Sequence, residues 1–396
     1  MVLTRPWSSR KGDLTRHALV PALCFLAVIV APGPPRAADP ETERRWVSAS
    51  PGYEWSFPRD HWVHRAFRNE WWYFTGSLVS RSKPQRRFGY QFVIFRVGLY
   101  PGVSGLASDW DAANLLMGHA AITDKAAGEH RFSEVLYREA PFLAQFSDYP
   151  DPVMAWSLAP LGTDGTWKLR WSGEGFEFQM VDRAKGIAFD LSTAFSDPPL
   201  FQGPGGFSRK SDEPGAASLY YSFTRLKTRG TVTLDGESWE VDGTSWMDKE
   251  ISSNQLTEEQ AGWDWFGLRL DDGRDLMLYE LRTKGGAVDY GKGTLVSPDR
   301  EVRYLNAADW RLSTTATWKS PETGIVYPVA WAVEIPSEKL RLTIQADLED
   351  QENQSRAGVG MTYWEGAVTL YGADGQHAGE GYAELTGYGE NNRPPI

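Results

Sequence analysis

The segment Gly243-Thr244-Ser245-Trp246-Met247-Asp248-Lys249-Glu250-Ile251 sets two carboxyls and a large ring at alternate positions. Side chains on a β-strand point to opposite faces in turn, so Trp246, Asp248 and Glu250 share one face. Val241, Met247, Lys249 and Ile251 share the other. If the first face points into a barrel, two carboxyls sit beside a ring in a low dielectric. There the charged form is disfavoured and a carboxyl becomes a proton donor near neutral pH. If the second face points inward, the carboxyls are ordinary solvated ones, and alternation alone leaves both arrangements open.

Other residues could take part. Trp263-Asp264-Trp265 puts two rings on one face and a carboxylate on the other. The rings read most simply as barrel-floor packing, and Asp264 has no assigned place. Glu70 precedes Trp71-Trp72-Tyr73, and Tyr220-Tyr221 follows a long loop. His119 sits in an otherwise apolar run, Met117 to Asp124, where a hydrogen-bonded core histidine is commoner than a ligand. His61 and His64 are a weak metal signal. With no tight cluster of metal-ligating side chains, no metal is expected. No nucleophile elbow, dinucleotide fingerprint or P-loop is present, and no cofactor is expected.

The elements that must position these residues are strands. Helical periodicity is nearly absent; the best helical stretch is Thr257 to Ala261, with Thr257 and Gln260 as a capping box. Elsewhere the chain alternates with period two between Gly, Asp, Pro and Asn breaks. Asp235-Gly236, Asp272-Gly273 and Asp374-Gly375 mark hairpins. Each half supplies about eight or nine short strands, enough to close an up-and-down barrel with an interior for one ligand. The halves also echo each other, Trp71 to Leu78 (WWYFTGSL) against Trp263 to Leu270 (WDWFGLRL). A long irregular stretch, Ser196 to Gly215, reads as a lid or a surface loop.

The first 38 residues read separately. Arg5, Arg10, Lys11 and Arg16 precede the apolar run Ala18 to Ala31, and Ala37-Ala38 follow, in the order of a secretory signal. The run is short for a membrane span. Without this segment 36 basic and 51 acidic residues remain, a net charge near −15. That balance argues against nucleic acid and anionic membrane surfaces as partners. The only cysteine, Cys24, lies within the segment, so the mature chain has neither disulfide nor thiolate chemistry. The expected divisions are a signal peptide (1–38), an N-terminal barrel (39–255) and a C-terminal barrel (256–396), in an exported, periplasmic protein. Aromatics make up 13% of the chain, with 18 Trp, a density that suits either barrel filling or ring faces meeting a ligand.

Taken together, Asn69-Glu70-Trp71-Trp72-Tyr73-Phe74-Thr75-Gly76, the strand His119 to Asp124, Tyr220-Tyr221-Ser222, Trp246-Met247-Asp248-Lys249-Glu250 and Gly262-Trp263-Asp264-Trp265-Phe266 resemble the AttH/CrtC-like family. These are lipocalin-like proteins related to carotenoid 1,2-hydratase (hydroxyneurosporene synthase), and the resemblance runs from about Trp55 to Tyr388. It implies an all-β fold of two tandem lipocalin-like (calycin) antiparallel barrels. It also implies exported members, often encoded beside ABC-transporter permeases, and a cofactor-independent hydratase acting on an isolated isoprenoid double bond. On that chemistry Asp248 or Glu250 would be the acid, Trp246 or Trp265 would stabilise the carbocation, and Tyr220 or Asp264 would position water. Trp71, Trp72, Trp263, His119 and Tyr221 would line the ligand. Related sequences often carry His at Lys249 and an aromatic at Ile251, and this departure tilts the expectation from catalysis to binding. The leading expectation is therefore a carrier of a lipid or isoprenoid, working with an ABC-type exporter. The alternatives are the hydratase and a carbohydrate-binding or carbohydrate-active β-protein.

Overall fold

Two long strands, Ala217–Leu234 and Glu237–Asn254, meet at Asp235-Gly236, whose φ values of 49° and 83° are those of a type I′ hairpin turn. They are the spine of the first of two sheets. The computed structural model describes residues 45–101, 108, 111–356, 360–390 and 392–394; the expected signal segment lies outside them. Among the described residues no helix is long and apolar enough to cross a membrane.

In the first sheet the strand Asn69–Ser80 runs antiparallel between Arg87–Gly98 and Glu237–Asn254. Asn114–Asp124 and Glu129–Arg138 extend one side; Ala217–Leu234, Ile187–Ala194, Phe176–Asp182, Thr166–Trp171, Val153–Leu158 and Ala144–Phe146 extend the other. In the second sheet Gln260–Leu270 lies between Asp275–Thr283 and His377–Leu385. Val288–Val296 and Val302–Asn306 continue one side; Thr362–Gly372, Leu340–Ala346, Val326–Ile335 and Arg311–Lys319 continue the other. In both halves the opening strand thus pairs with the second strand and with the last. This is the wind of an up-and-down barrel, and the fold is two tandem antiparallel barrels, as expected.

Among the described residues the sheets have 13 and 10 strands rather than eight or nine each. The extra ones, such as Ala144–Phe146, Leu200–Phe201, Phe207–Arg209 and Glu352–Gln354, are too short to show a period. The helix expected over Thr257 to Ala261 is a turn. Half of its capping box forms, with Gln260 Oε1 accepting from the Thr257 amide at 3.0 Å. Gln260 then opens the strand Gln260–Leu270, and five residues are too few to offset the cost of starting a helix.

A further difference concerns the barrel interiors, expected to leave room for a ligand. They are filled with side chains. In the first, Phe92 and Phe178 stack at 5.1 Å, surrounded by Phe74, Tyr90, Trp167 and Phe189. In the second, Phe266, Trp331, Trp364 and Tyr327 are fully buried. A third buried cluster lies between the barrels, combining Tyr73, Val93, Tyr220 and Trp246 of the first sheet with Trp265, Met277, Tyr279, Ala367 and Tyr382 of the second. Residues on the outer face of each barrel are buried there too. Polar contacts brace this seam, among them Thr123 to Gln351 (3.0 Å), His130 to Asn353 (2.9 Å) and Arg225 to Asp275 (2.7 Å). Residues 44–396 form one compact unit.

Candidate active site

Period two decides which rings reach the seam. On Asn69–Ser80, Trp72 and Phe74 fill the first barrel while Trp71 and Tyr73 face out. On Gln260–Leu270, Phe266 and Leu268 fill the second barrel while Trp263 and Trp265 face out. The echoed segments therefore face each other, and Tyr73 meets Trp265 edge-on at 5.4 Å and 81°. Between them lies a cavity of about 70 Å³. Its walls are Trp71, Tyr73, Phe95, Tyr220, Trp263, Trp265 and Tyr279, with the carboxyls of Asp248, Glu250 and Glu384.

Both faces of the segment Trp246 to Ile251 are buried, which neither sequence-based arrangement foresaw. Met247 and Lys249 point into the first barrel, while Trp246, Asp248 and Glu250 point into the seam. Asp248 is 3% exposed. Its Oδ1 accepts from the Ser222 hydroxyl (2.5 Å) and Trp246 Nε1 (2.7 Å), and its Oδ2 from the Tyr220 hydroxyl (2.7 Å). Burial pushes its pKa up to about 7, outweighing those three hydrogen bonds. Trp265 Nε1 in turn donates to the Tyr220 oxygen at 3.2 Å, and its ring stands perpendicular to that of Trp246. On the opposite wall burial also lifts Glu384 to about 7, against the hydrogen bond that it accepts from Trp263 Nε1 at 3.1 Å.

Glu250 is held differently. It takes Lys210 Nζ at 2.8 Å and Gln255 Nε2 at 2.7 Å. Lys210 comes from the long Ser196 to Gly215 stretch and sits over the rings of Tyr220 and Tyr279 at 5.1 and 4.5 Å. That stretch pairs with Ala217–Leu234 through Leu200–Phe201 and Phe207–Arg209, and its Lys210 forms part of the cavity wall. It also reaches one end of the first barrel, where Phe201 stacks on Trp55 at 5.5 Å.

Of the sequence candidates, Asp248, Glu250, Tyr220, Trp71, Trp263 and Trp265 line one cavity, and Trp246 supports Asp248 from behind. His119 lines an adjoining cavity. Three candidates are not brought to the seam. Trp72 lies inside the first barrel, with Lys249 Nζ 3.2 Å from its ring centroid. Tyr221 is also inside, bonded to His61 Nδ1 at 2.7 Å. Asp264 alternates with its two tryptophans and so faces the second barrel, where Arg282 Nε (2.9 Å) and the Tyr388 hydroxyl (3.0 Å) hold it. Sequence reasoning missed Glu384, Glu365, Lys210, Tyr279 and Tyr73; Tyr73 shares a strand with Trp71, and the others come from segments far from Asp248 in the chain. Glu365 and Glu384, each among apolar neighbours on its strand, were the available signal. Lys249 points away from the cavity and pairs with Glu70 at 2.6 Å, so its identity does not alter the carboxyl site.

The AttH-like family model matches residues 48–388. The chain belongs to the AttH-like family. An AttH-like crystal structure from Nitrosomonas europaea shares 31% identity and superposes with a TM-score of 0.75, covering 86% of this chain and 99% of that one. Kievitone hydratase from Nectria haematococca shares the fold, with a TM-score of 0.61 at 12% identity over 86% of this chain and 95% of that one. A dehydratase, asqC of Emericella nidulans, is 25% identical over 198 residues, 47% of this chain. The chain spans about half the length, 54%, of that curated relative. A hydratase thus shares the fold, and a dehydratase is similar in sequence to part of the chain.

Proposed function

We propose that this AttH-like protein is a cofactor-independent hydro-lyase, adding water to or removing it from a compact, largely apolar unsaturated molecule held between its barrels. The carrying observation is Asp248, a buried carboxyl with a pKa of about 7 on the wall of a ring-lined cavity. Both lone pairs of its Oδ1 are taken by Ser222 and Trp246, so the acid proton belongs on Oδ2. In hydration that proton passes to one olefin carbon and the π electrons form the new C–H bond. The cation left on the other carbon faces the indoles of Trp263 or Trp265. Water attacks it and gives its proton to a carboxylate, with Glu384 on the opposite wall in place to take it. Dehydration is the reverse. Two carboxyls poised near neutrality in one cavity are the arrangement that acid and base work at neutral pH requires. The names of the hydratase and dehydratase relatives point the same way.

A hydrophobic carrier working with an exporter would use the same rings but would have no use for a carboxyl tuned to neutrality. A small ring-lined cavity also suits a small apolar molecule better than a glycan chain. The deciding experiment incubates the full chain with isoprenoid alkenes and their tertiary alcohols in isotopically labelled water. Label should enter product with the wild type and fail to enter with Asp248→Asn. Tight binding of these compounds with no label from the wild type would leave the carrier reading.

A further inference from the structure

Beside the carboxyl cavity lies a smaller one of about 30 Å³, sharing Tyr73, Phe95, Trp263 and Glu384 with it. Its own walls include His119, Tyr363 and Glu365. His119 and Glu365 are each 1% exposed, and each carries a buried atom without a hydrogen-bond partner, Nε2 of His119 and Oε2 of Glu365. Leaving two such atoms unpaired is costly, and both residues line this cavity, which has room for about one small polar group.

The surrounding bonds fix what these atoms are. The Tyr363 oxygen accepts from Gln91 Nε2 at 3.1 Å and from the Asn353 amide, so its own hydrogen goes to His119 Nδ1 at 2.8 Å. His119 then bears its ring proton on Nε2, which is a donor. Burial keeps the ring neutral, with a pKa lowered to about 4. Glu365 Oε1 accepts the Tyr73 hydroxyl at 2.6 Å. Burial and the neighbouring Glu384 raise the Glu365 pKa well above the ordinary range, against hydrogen bonds from Tyr73 and Gln91, which favours the protonated form; with Oε1 taken by Tyr73, the unpartnered Oε2 is the oxygen to carry the proton.

We infer that this second arm is a subsite for a carbonyl oxygen of the substrate, with His119 Nε2–H and Glu365 Oε2–H as paired donors. A carbonyl oxygen has two lone pairs and no hydrogen, which matches two donors and no acceptor. A plain hydrocarbon would leave both donors unpaired. The inference rests on the hydro-lyase reading only in taking the occupant of the seam to be its substrate; it narrows that substrate to an unsaturated or hydroxylated carbonyl compound.

The test compares benzylideneacetone with its isostere in which a methylene replaces the carbonyl oxygen, each titrated into the full chain by quenching of tryptophan fluorescence. The ketone should bind about tenfold more tightly, the worth of two net hydrogen bonds. That preference should fall to about unity in the double variant His119→Phe, Glu365→Leu and persist in Asp248→Asn, whose carboxyl lies on the other arm. Should the double variant fail to fold, isotope-labelled histidine in the wild type gives a second reading. The His119 Nε2 resonance should move with the ketone and stay with the isostere. Equal binding of the two compounds by the wild type, or an unmoved resonance with ketone bound, overturns the subsite whether or not water addition is seen. A ketone preference in a protein that never adds water would overturn only the hydro-lyase reading.

Discussion

At the scale of single residues, Asp248 and Lys249 are neighbours with opposite duties. Asp248→Asn keeps the shape and most of the hydrogen bonds but removes the transferable proton. Turnover should fall roughly 10²–10⁴-fold with little change in melting temperature, as measured by product formation and calorimetry. The groups facing Asp248 are Tyr220, Ser222, Trp246, Glu250, Trp265, Lys210 and Glu384. Its pKa of about 7, against an ordinary 3.8, predicts a hydration rate that declines as pH rises through 7, and Glu384, also near 7 and needed as the carboxylate, makes the rate decline again below it. The same shift has a sign for stability. The folded chain holds a proton that the unfolded chain releases, so this contribution is full below pH 3.8 and is lost as pH rises through about 7. Lys249→Met should behave oppositely to Asp248→Asn. It removes a buried amine, its pKa lowered by burial to about 7, that lies 2.6 Å from Glu70, and should cost about 1.5–3 kcal/mol in urea unfolding, with the seam chemistry intact in the folded fraction. Glu70 still has Arg96 Nε at 2.5 Å and His64 Nδ1 at 3.1 Å. The period-two pattern placed Asp248 and Lys249 on opposite faces. Which face was functional was not legible, because the pattern assumes one wet face and this strand has none from Ser245 to Ser252.

At the scale of elements, strand positions were well marked in the chain. Glu129–Arg138 and Val288–Val296 fall where the alternation sets them, and Asp-Gly turns close hairpins because they tolerate left-handed backbone. The echo of Trp71 to Leu78 in Trp263 to Leu270 was legible as similarity but not as two walls of one cavity. Pairing partners on different sheets leave no local trace. The close approach of those walls depends on Gly267. A Cβ there would lie 2.5 Å from the tip of the Trp265 indole and 3.1 Å from the ring-fusion carbon Cδ2 of Trp246. Gly267→Val should therefore push both indoles off Asp248 and Tyr220. The expected outcome is a loss of about 1–3 kcal/mol of stability together with weaker ligand quenching of tryptophan fluorescence.

At the scale of the whole molecule, the barrels share a buried seam that includes Tyr73, Trp265 and the Tyr73–Glu365 hydrogen bond. Neither half can cover that face alone, and exposing it would leave a large apolar patch in water. Chemical unfolding followed by tryptophan fluorescence and by far-ultraviolet circular dichroism should thus give one coincident transition. Two separated transitions would show barrels that fold independently. Composition and strand count pointed to two barrels, but they also suggested ligand space inside each. The fully buried rings, such as Trp167 and Trp364, instead fill those interiors, and the usable space is left outside them.

The strand Glu237–Asn254 has a consequence for how such a protein diversifies. Its odd positions near the cavity, Met247 and Lys249, belong to the barrel, and its even positions, Asp248 and Glu250, belong to the chemistry. The pleat insulates one set from the other, although they alternate along a single stretch of chain. Selection can rewrite the even positions, and their counterparts on Gln260–Leu270, while the odd ones keep the fold. A lineage built this way can change its substrate one residue at a time without passing through unfolded ancestors.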